Sequence, residues 1–312
     1  MPTALVCLSH SPLLGSATLP EETEAALAAA LARAGEFVAE FDPTLVVVFA
    51  PDHYNGFFHE LMPQYCVGLA ASSVGDYGSA AGPLDVPAPV AEALVAHVLD
   101  DGVDVAFSRR MLLDHGAAQP LELLLGGLTA RPVIPVFVNG VAPPFAPMRR
   151  VRLLGASIGR FLGGLGERVL VVGSGGLSHD PPVPRWAGAT PEQAALLLAG
   201  RDPTPEARAA REGRVRDTAR AFAAGTAPIR DLNPSWDERF LDLCAAGALA
   251  EADGWSPEAM TAEAGASSHE VRTWLAAFAA LDAAGPYAVR DRFYRPIPEL
   301  IAGFGVLTAR TR

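Results

Sequence analysis

Five short runs of nearly continuous apolar residues, rich in β-branched side chains, constrain this chain more than any other feature. They are Thr3–Ser9, Thr44–Ala50, Val103–Ser108, Pro132–Val138 and Arg168–Ser174. A strand with one face in water alternates apolar and polar residues. A strand that is apolar at almost every position is covered on both faces, as parallel strands are when they lie between layers of helices. Helical patterns separate the runs: the Ala- and Glu-rich Glu21–Glu40, then the amphipathic Val90–Leu99 and Arg149–Leu165. This alternation predicts an α/β fold with a mostly parallel central sheet and right-handed crossovers.

Past about residue 185 the pattern turns helical. Thr190-Pro191, Thr204-Pro205 and Ser256-Pro257 each set a capping hydroxyl before a proline at the first helical position. Helices are expected near 191–199, 205–224, 236–248, 257–264 and 269–282, followed by an extended segment, Tyr287–Ala309. The Pro-rich Val141–Pro147 is too short for a domain linker, and no internal repeat is present. We therefore expect one catalytic domain over 1–312, with an α/β core of about 1–185 and a helix-rich remainder, 186–312.

Composition removes several classes of function. The net charge of −11 disfavours a phosphate backbone as partner, so no nucleic acid is expected. No run reaches the roughly 18 apolar residues of a membrane helix. The start, MPTALVCLSHSPLL, lacks the basic region of a signal peptide, so a cytoplasmic protein is expected. Cys7, Cys66 and Cys244 are far apart and form no zinc or redox motif; they read as small buried apolar residues.

The seven histidines are distributed unevenly. His10 follows the first run, His53 the second, His115 the third and His179 the fifth. In a parallel sheet all strand C-termini open on one edge, where ligands bind, so imidazoles distant in sequence can meet there. Imidazole binds divalent transition metals and moves protons near neutral pH. Two could hold a metal while two do acid–base work. His59, His97 and His269 carry no such signal. His59 suits a supporting or surface role, His97 lies inside a helix, and His269 opens one.

An iron(II) site open to substrate and oxygen commonly adds one carboxylate to two histidines. Periodicity does not select it among 35 acids. Asp52 and Asp114 each precede a chosen histidine and could orient one. Glu270 is a further candidate, but Ser267-x-x-Glu270 also reads as a capping box, and pattern alone favours the cap.

His10 in CLSHSPL, His53 in FAPDHYNGFF, His115 in DHG, His179 in GSGGLSH and Glu270 in SSHEVRTW together resemble the class III (LigB-type) extradiol ring-cleavage dioxygenases. The likeness runs from the first strand to RFYRPIPELIAGFG. It implies a three-layer α/β/α sandwich, a homo-oligomer, and Fe(II) held by His10, His53 and Glu270. It also implies His115 as proton donor, His179 as proton acceptor, and a catechol and O2 as substrates. The catechol it points to is 3-(2,3-dihydroxyphenyl)propanoate or its cinnamate analogue. Such a substrate carries a carboxylate, for which Arg109, Arg110, Arg185 and Arg295 are possible partners. Tyr54, Phe57 and Trp186 could line its pocket. Two rival readings use the same residues: a zinc hydrolase on this scaffold, or a non-catalytic metal-binding protein.

Overall fold

The computed structural model describes residues 2–312. In chain order its first elements are β1 (Thr3–Leu8), α1 (Glu21–Phe41), β2 (Leu45–Ala50), β3 (Tyr65–Gly68), β4 (Ala71–Val74), β5 (Ala81–Pro83), α2 (Ala88–Asp100), β6 (Ala106–Ser108) and β7 (Met111–Leu113). Then come α3 (His115–Leu125), β8 (Val133–Val138), α4 (Met148–Gly163) and β9 (Val169–Ser174). The helices α5 (Pro191–Ala199), α6 (Pro205–Ala223), α7 (Pro234–Ala246), α8 (Pro257–Ala264) and α9 (Val271–Ala284) precede two last strands, β10 (Tyr287–Ile297) and β11 (Ala302–Thr311).

The main sheet has eight strands in the order β10-β11-β1-β9-β2-β8-β3-β6. Parallel pairing joins β1, β9, β2 and β8, the four longest expected runs. Their residues alternate between two cores. Leu5, Cys7, Val47, Phe49 and Val171 face one, with α2, α4 and α9. Val6, Leu8, Val46, Val48 and Val172 face the other, with α1 and α3. Covering on both faces is why these strands carry no polar alternation. The layering is therefore α/β/α, and the four strands end together at Leu8, Ser174, Ala50 and Val138.

Three details depart from the sequence reading. The run Val103–Ser108 is not a buried strand: only Ala106–Ser108 is extended, paired parallel with β3 at the sheet edge, with Phe107 57% exposed. The strand leading to His115 is instead β7, in a separate three-stranded sheet ordered β5-β4-β7. The segment Tyr287–Ala309 is not one extended stretch but an antiparallel hairpin, closed by a turn at Pro298–Leu300 and joined to β1 through β11. The helix α3, with Pro120 inside it, had no periodic signal.

Helix α9 explains how the C-terminal part joins the core. Every residue from Val271 to Leu281 is buried, beneath the sheet on one side and α4 on the other. Two glycines of α4 permit this approach. A Cβ on Gly155 would lie 2.1 Å from the Ala276 carbonyl oxygen, and one on Gly159 2.1 Å from that of Ala280. Both contacts are with backbone, which cannot swing aside. Helix propensity alone makes Gly→Ala in a helix stabilising by about 1 kcal/mol. We expect the opposite at Gly159: Gly159→Ala should destabilise the protein by roughly 1–3 kcal/mol through overpacking. Gly163→Ala, where nothing lies within 4 Å, should be neutral or stabilising. Urea unfolding of the two variants checks this, and an unchanged midpoint for Gly159→Ala would contradict it.

Candidate active site

The edge where the parallel strands end gathers all four singled-out histidines. His10 follows β1, His53 follows β2 and His179 follows β9, whereas His115 is the first residue of α3. The ring centroids of His10 and His53 are 5.3 Å apart, those of His10 and His115 5.4 Å, and those of His53 and His115 4.8 Å. His179 joins them through Glu270. All five residues line one cavity of about 850 Å³.

Each imidazole is tethered from behind by its Nδ1. The Ser174 hydroxyl donates to the Gly116 carbonyl, so at 2.9 Å it accepts from His10 Nδ1. His53 Nδ1 donates to Asp114 Oδ2 at 3.0 Å, and the His53 backbone N–H reaches the same oxygen at 2.7 Å. His115 Nδ1 and its backbone N–H both donate to Asp76, each at 2.7 Å. His179 Nδ1 donates to the Leu177 carbonyl at 3.0 Å. With Nδ1 so used, each ring turns Nε2 inward, which in the neutral ring is the lone pair a metal ligand or a proton acceptor needs and in the imidazolium is an N–H that can be donated.

Glu270 sits among these inward nitrogens, 1% exposed. Its Oε1 lies 3.2 Å from His53 Nε2 and 3.1 Å from His179 Nε2, and its Oε2 3.4 Å from His10 Nε2. The capping-box reading fails, because Ser267 caps no backbone N–H with its side chain. The carboxylate instead accepts from the Gly176 N–H at 3.1 Å. The turn passes close enough for this only because Gly175 and Gly176 lack side chains. A Cβ on Gly175 would sit 2.7 Å from the Glu270 carbonyl oxygen, and one on Gly176 2.6 Å from the His179 ring.

The electrostatics follow from burial opposed by charge. Burial raises the pKa of Glu270, but the imidazoles of His179 and His10 outweigh it and hold the carboxyl well below its usual range. Burial lowers the imidazole pKa of His53, yet Asp114 and Glu270 carry it well above the ordinary value. His179 rises for the same reason, against its own burial, through Glu270. His10, where desolvation dominates, falls to about 3.

Two groupings have the spacing of metal ligands: His10, His53 and His115, and Asp76, Asp114 and His115. The second is spent, since every oxygen of Asp76 and Asp114 already accepts a hydrogen bond. In the centre the inward atoms of His10, His53, His179 and Glu270 are all acceptors. Three acceptor nitrogens at 3.1–3.4 Å from one carboxylate require a cation among them, either protons or a metal ion. Atoms about 3 Å apart are spaced as two ligands at right angles on an ion bonded at about 2.1 Å. A divalent ion fits this donor set and neutralises Glu270.

The supporting residues differ partly from those expected. Asp114 orients His53 rather than its neighbour His115. Asp52 touches no imidazole; it accepts the N–H groups of Asn55, Gly56 and Phe57 and so shapes the loop carrying His53. Asp76 was not anticipated, because it lies 39 positions from the histidine it holds; its only local signal is a Gly75-Asp76-Tyr77-Gly78 turn. Of the arginines considered, Arg109 pairs with Glu92 and Arg295 with Glu22, both away from the cavity, and Arg110 also lies outside it. Arg185 lines it but is paired with Asp180. Tyr54 lines the cavity; Phe57 stacks on Phe137 and Trp186 packs by His59, both outside the lining. His97 packs on Phe161, and His269 lies buried between Phe145 and Arg272.

Residues 4–305 match the family described as "Catalytic LigB subunit of aromatic ring-opening dioxygenase". Among curated proteins, the chain is 57% identical over 311 residues to a Rhodococcus rhodochrous protein named 2,3-dihydroxyphenylpropionate/2,3-dihydroxicinnamic acid 1,2-dioxygenase, covering 99% of this chain and 98% of that one. Proteins of the same name are 57% identical in Paraburkholderia xenovorans, covering 99% of this chain and 98% of that one, and 53% identical in Mycolicibacterium paratuberculosis, covering all of both.

Behind the His179 loop lies a buried carboxylate that sequence patterns did not reveal. Asp237 accepts from the Ser178 N–H, the Ser178 hydroxyl and the Tyr294 hydroxyl, each at 2.7 Å. Burial nevertheless dominates and pushes its pKa up to about 6, from 3.8 in an exposed chain. A raised carboxyl pKa means that folding favours the protonated form. That contribution is complete below pH 3.8 and is lost as pH rises through about 6. Asp237→Asn removes this titration. The stability of the wild type relative to Asp237→Asn should therefore fall by up to about 3 kcal/mol between pH 4 and 6. Denaturant titrations at several pH values check it, and parallel profiles would contradict it.

Proposed function

The chain belongs to the family of the catalytic LigB subunit of aromatic ring-opening dioxygenases, and from that premise we propose that it cleaves 3-(2,3-dihydroxyphenyl)propanoate and its cinnamate analogue beside the diol, using iron(II). Both atoms of O2 enter the product, an open-chain compound of the 2-hydroxy-6-oxonona-dienedioate type, which keeps the extra double bond when the substrate is the cinnamate. The names of the relatives support this substrate. The observation that carries the reading is the single buried carboxylate faced by the Nε2 atoms of His10, His53 and His179.

His10, His53 and Glu270 would hold the ferrous ion, a two-histidine, one-carboxylate set that leaves room for substrate and oxygen. When bound there, the ion supplies Lewis acidity to the two catechol oxygens and a route for electrons from ring to dioxygen. The remaining steps fall to side chains. His179 is the proton acceptor: its Nδ1 is committed to Leu177, so Nε2 receives the proton from the substrate hydroxyl. Glu270 beside it raises its basicity. His115 is the proton donor. Asp76 accepts Nδ1–H behind the ring and leaves Nε2 toward the cavity, and as imidazolium, its charge balanced by Asp76, His115 protonates the departing oxygen from Nε2 as the ring opens. The ring of His115 lies against that of His53, 4.8 Å away, which sets the donor beside the ligand set. Apolar lining from Leu13, Phe58 and Ile301 shields these transfers from bulk water.

Residues 1–312 act as one catalytic domain in this account, since the site draws on both the α/β core and α9. We propose that the protein is cytoplasmic and, on the family likeness, a homo-oligomer. Among the described residues no helix is long and apolar enough to cross a membrane.

An oxygen electrode tests the reaction. Protein loaded with iron(II) should consume oxygen with 3-(2,3-dihydroxyphenyl)propanoate and form a yellow product. His179→Ala should keep its iron but turn over about 10²–10⁴-fold more slowly. Reaction that continues without oxygen, or an unchanged rate in His179→Ala, would contradict the proposal.

A further inference from the structure

Four arginines, 185, 208, 211 and 214, line the cavity above the histidines. Arg185 is paired with Asp180. Arg211 is different. It is half-buried on α6, and its Nη2 donates to the backbone carbonyl of His53. It has no carboxylate partner among the described residues. The acids that line the same cavity are committed. Glu212 pairs with Arg216 at 2.9 Å and accepts from the Tyr77 N–H at 3.1 Å, Asp76 holds His115, and Glu270 faces the imidazoles. A carbonyl oxygen accepts a hydrogen bond but neutralises no charge, so the guanidinium keeps its positive charge and its other N–H donors for an anion.

Its position matters as much as its charge. Arg211 is tied to the backbone of His53, the residue whose Nε2 faces Glu270, and lines the same cavity as the histidines. A catechol bound at that centre shares this cavity with Arg211.

We propose that Arg211 is the specificity-determining residue that grips the side-chain carboxylate of the substrate. This rests on the function proposed above. The remaining N–H groups form a fork that matches a carboxylate, and partial burial strengthens the pairing over one in open water. Arg208, one turn earlier and also without a carboxylate partner among the described residues, adds positive potential to the same wall.

The test compares two catechols of equal reach, 3-(2,3-dihydroxyphenyl)propanoate and 3-propylcatechol, which lacks the carboxylate. Arg211→Gln should raise KM for the acid roughly ten- to a hundredfold, the range for a lost charge-assisted hydrogen bond. KM for 3-propylcatechol should stay within about twofold. Arg211→Lys, which keeps the charge but not the fork, should recover part of the affinity for the acid alone. Equal losses on both catechols would overturn the proposal and make Arg211 only a latch holding α6 to the His53 loop. A second readout needs no turnover: calorimetric binding of 3-phenylpropionate, which has the carboxylate and no diol. Arg211→Gln should weaken it by a similar factor; equal affinities in the two proteins, or none in either, overturn the assignment. Absence of oxygen uptake with every catechol would instead remove the proposed reaction and leave this titration to judge Arg211.

Discussion

A carboxylate with almost no exposure, faced by acceptor nitrogens, is the constraint around which this molecule is arranged. An ionised carboxyl in the interior is costly unless charge and hydrogen bonds compensate it. Glu270 receives one backbone N–H, from Gly176, and three imidazoles. Those imidazoles have given their Nδ1 protons to Ser174, Asp114 and the Leu177 carbonyl. What remains inside is a cluster of lone pairs, which only a cation makes favourable. The same feature that would be a liability in a plain core suits a metal ion here.

Each part of the fold can be traced to holding that cluster. The parallel strands β1, β9 and β2 bring residues 10, 174 and 53 to one edge. Helix α9 is sunk into the core, so that the residue before it, Glu270, meets them from the opposite side. Gly155 and Gly159 allow α4 to cover α9 without a gap. A second ring of acids works at one remove. Asp114 and Asp76 aim individual imidazoles, and Asp237 fastens the loop that carries His179. The charged positions that matter most are thus buried and paired, and the exposed ion pairs such as Arg109–Glu92 contribute little.

Much of this was readable in the sequence, and the failures have physical causes. The four long buried strands declared themselves because burial on both faces leaves an unbroken apolar run. Val103–Ser108 carried a similar composition without the burial, because strand composition alone does not say whether a partner covers it. The proline-started helices were legible from local capping chemistry; α3 is also capped, by Asp114 at its start and Gly126 at its end, but the histidine and glycine of its first turn and Pro120 inside it masked the helix. Of the site, the histidines stood out through their places after strands. Glu270 did not, since its motif fits a cap equally well until the neighbouring imidazoles are seen. Asp76 and Asp237 act on partners 39 and 59 residues away, contacts that no local pattern encodes.

The most direct test is anomalous diffraction at the iron edge from crystals loaded anaerobically with ferrous ion. The account predicts one peak per chain, bonded to Nε2 of His10, Nε2 of His53 and the carboxylate of Glu270, with His115 and His179 free of it. A peak among Asp76, Asp114 and His115, or none near Glu270, would contradict it.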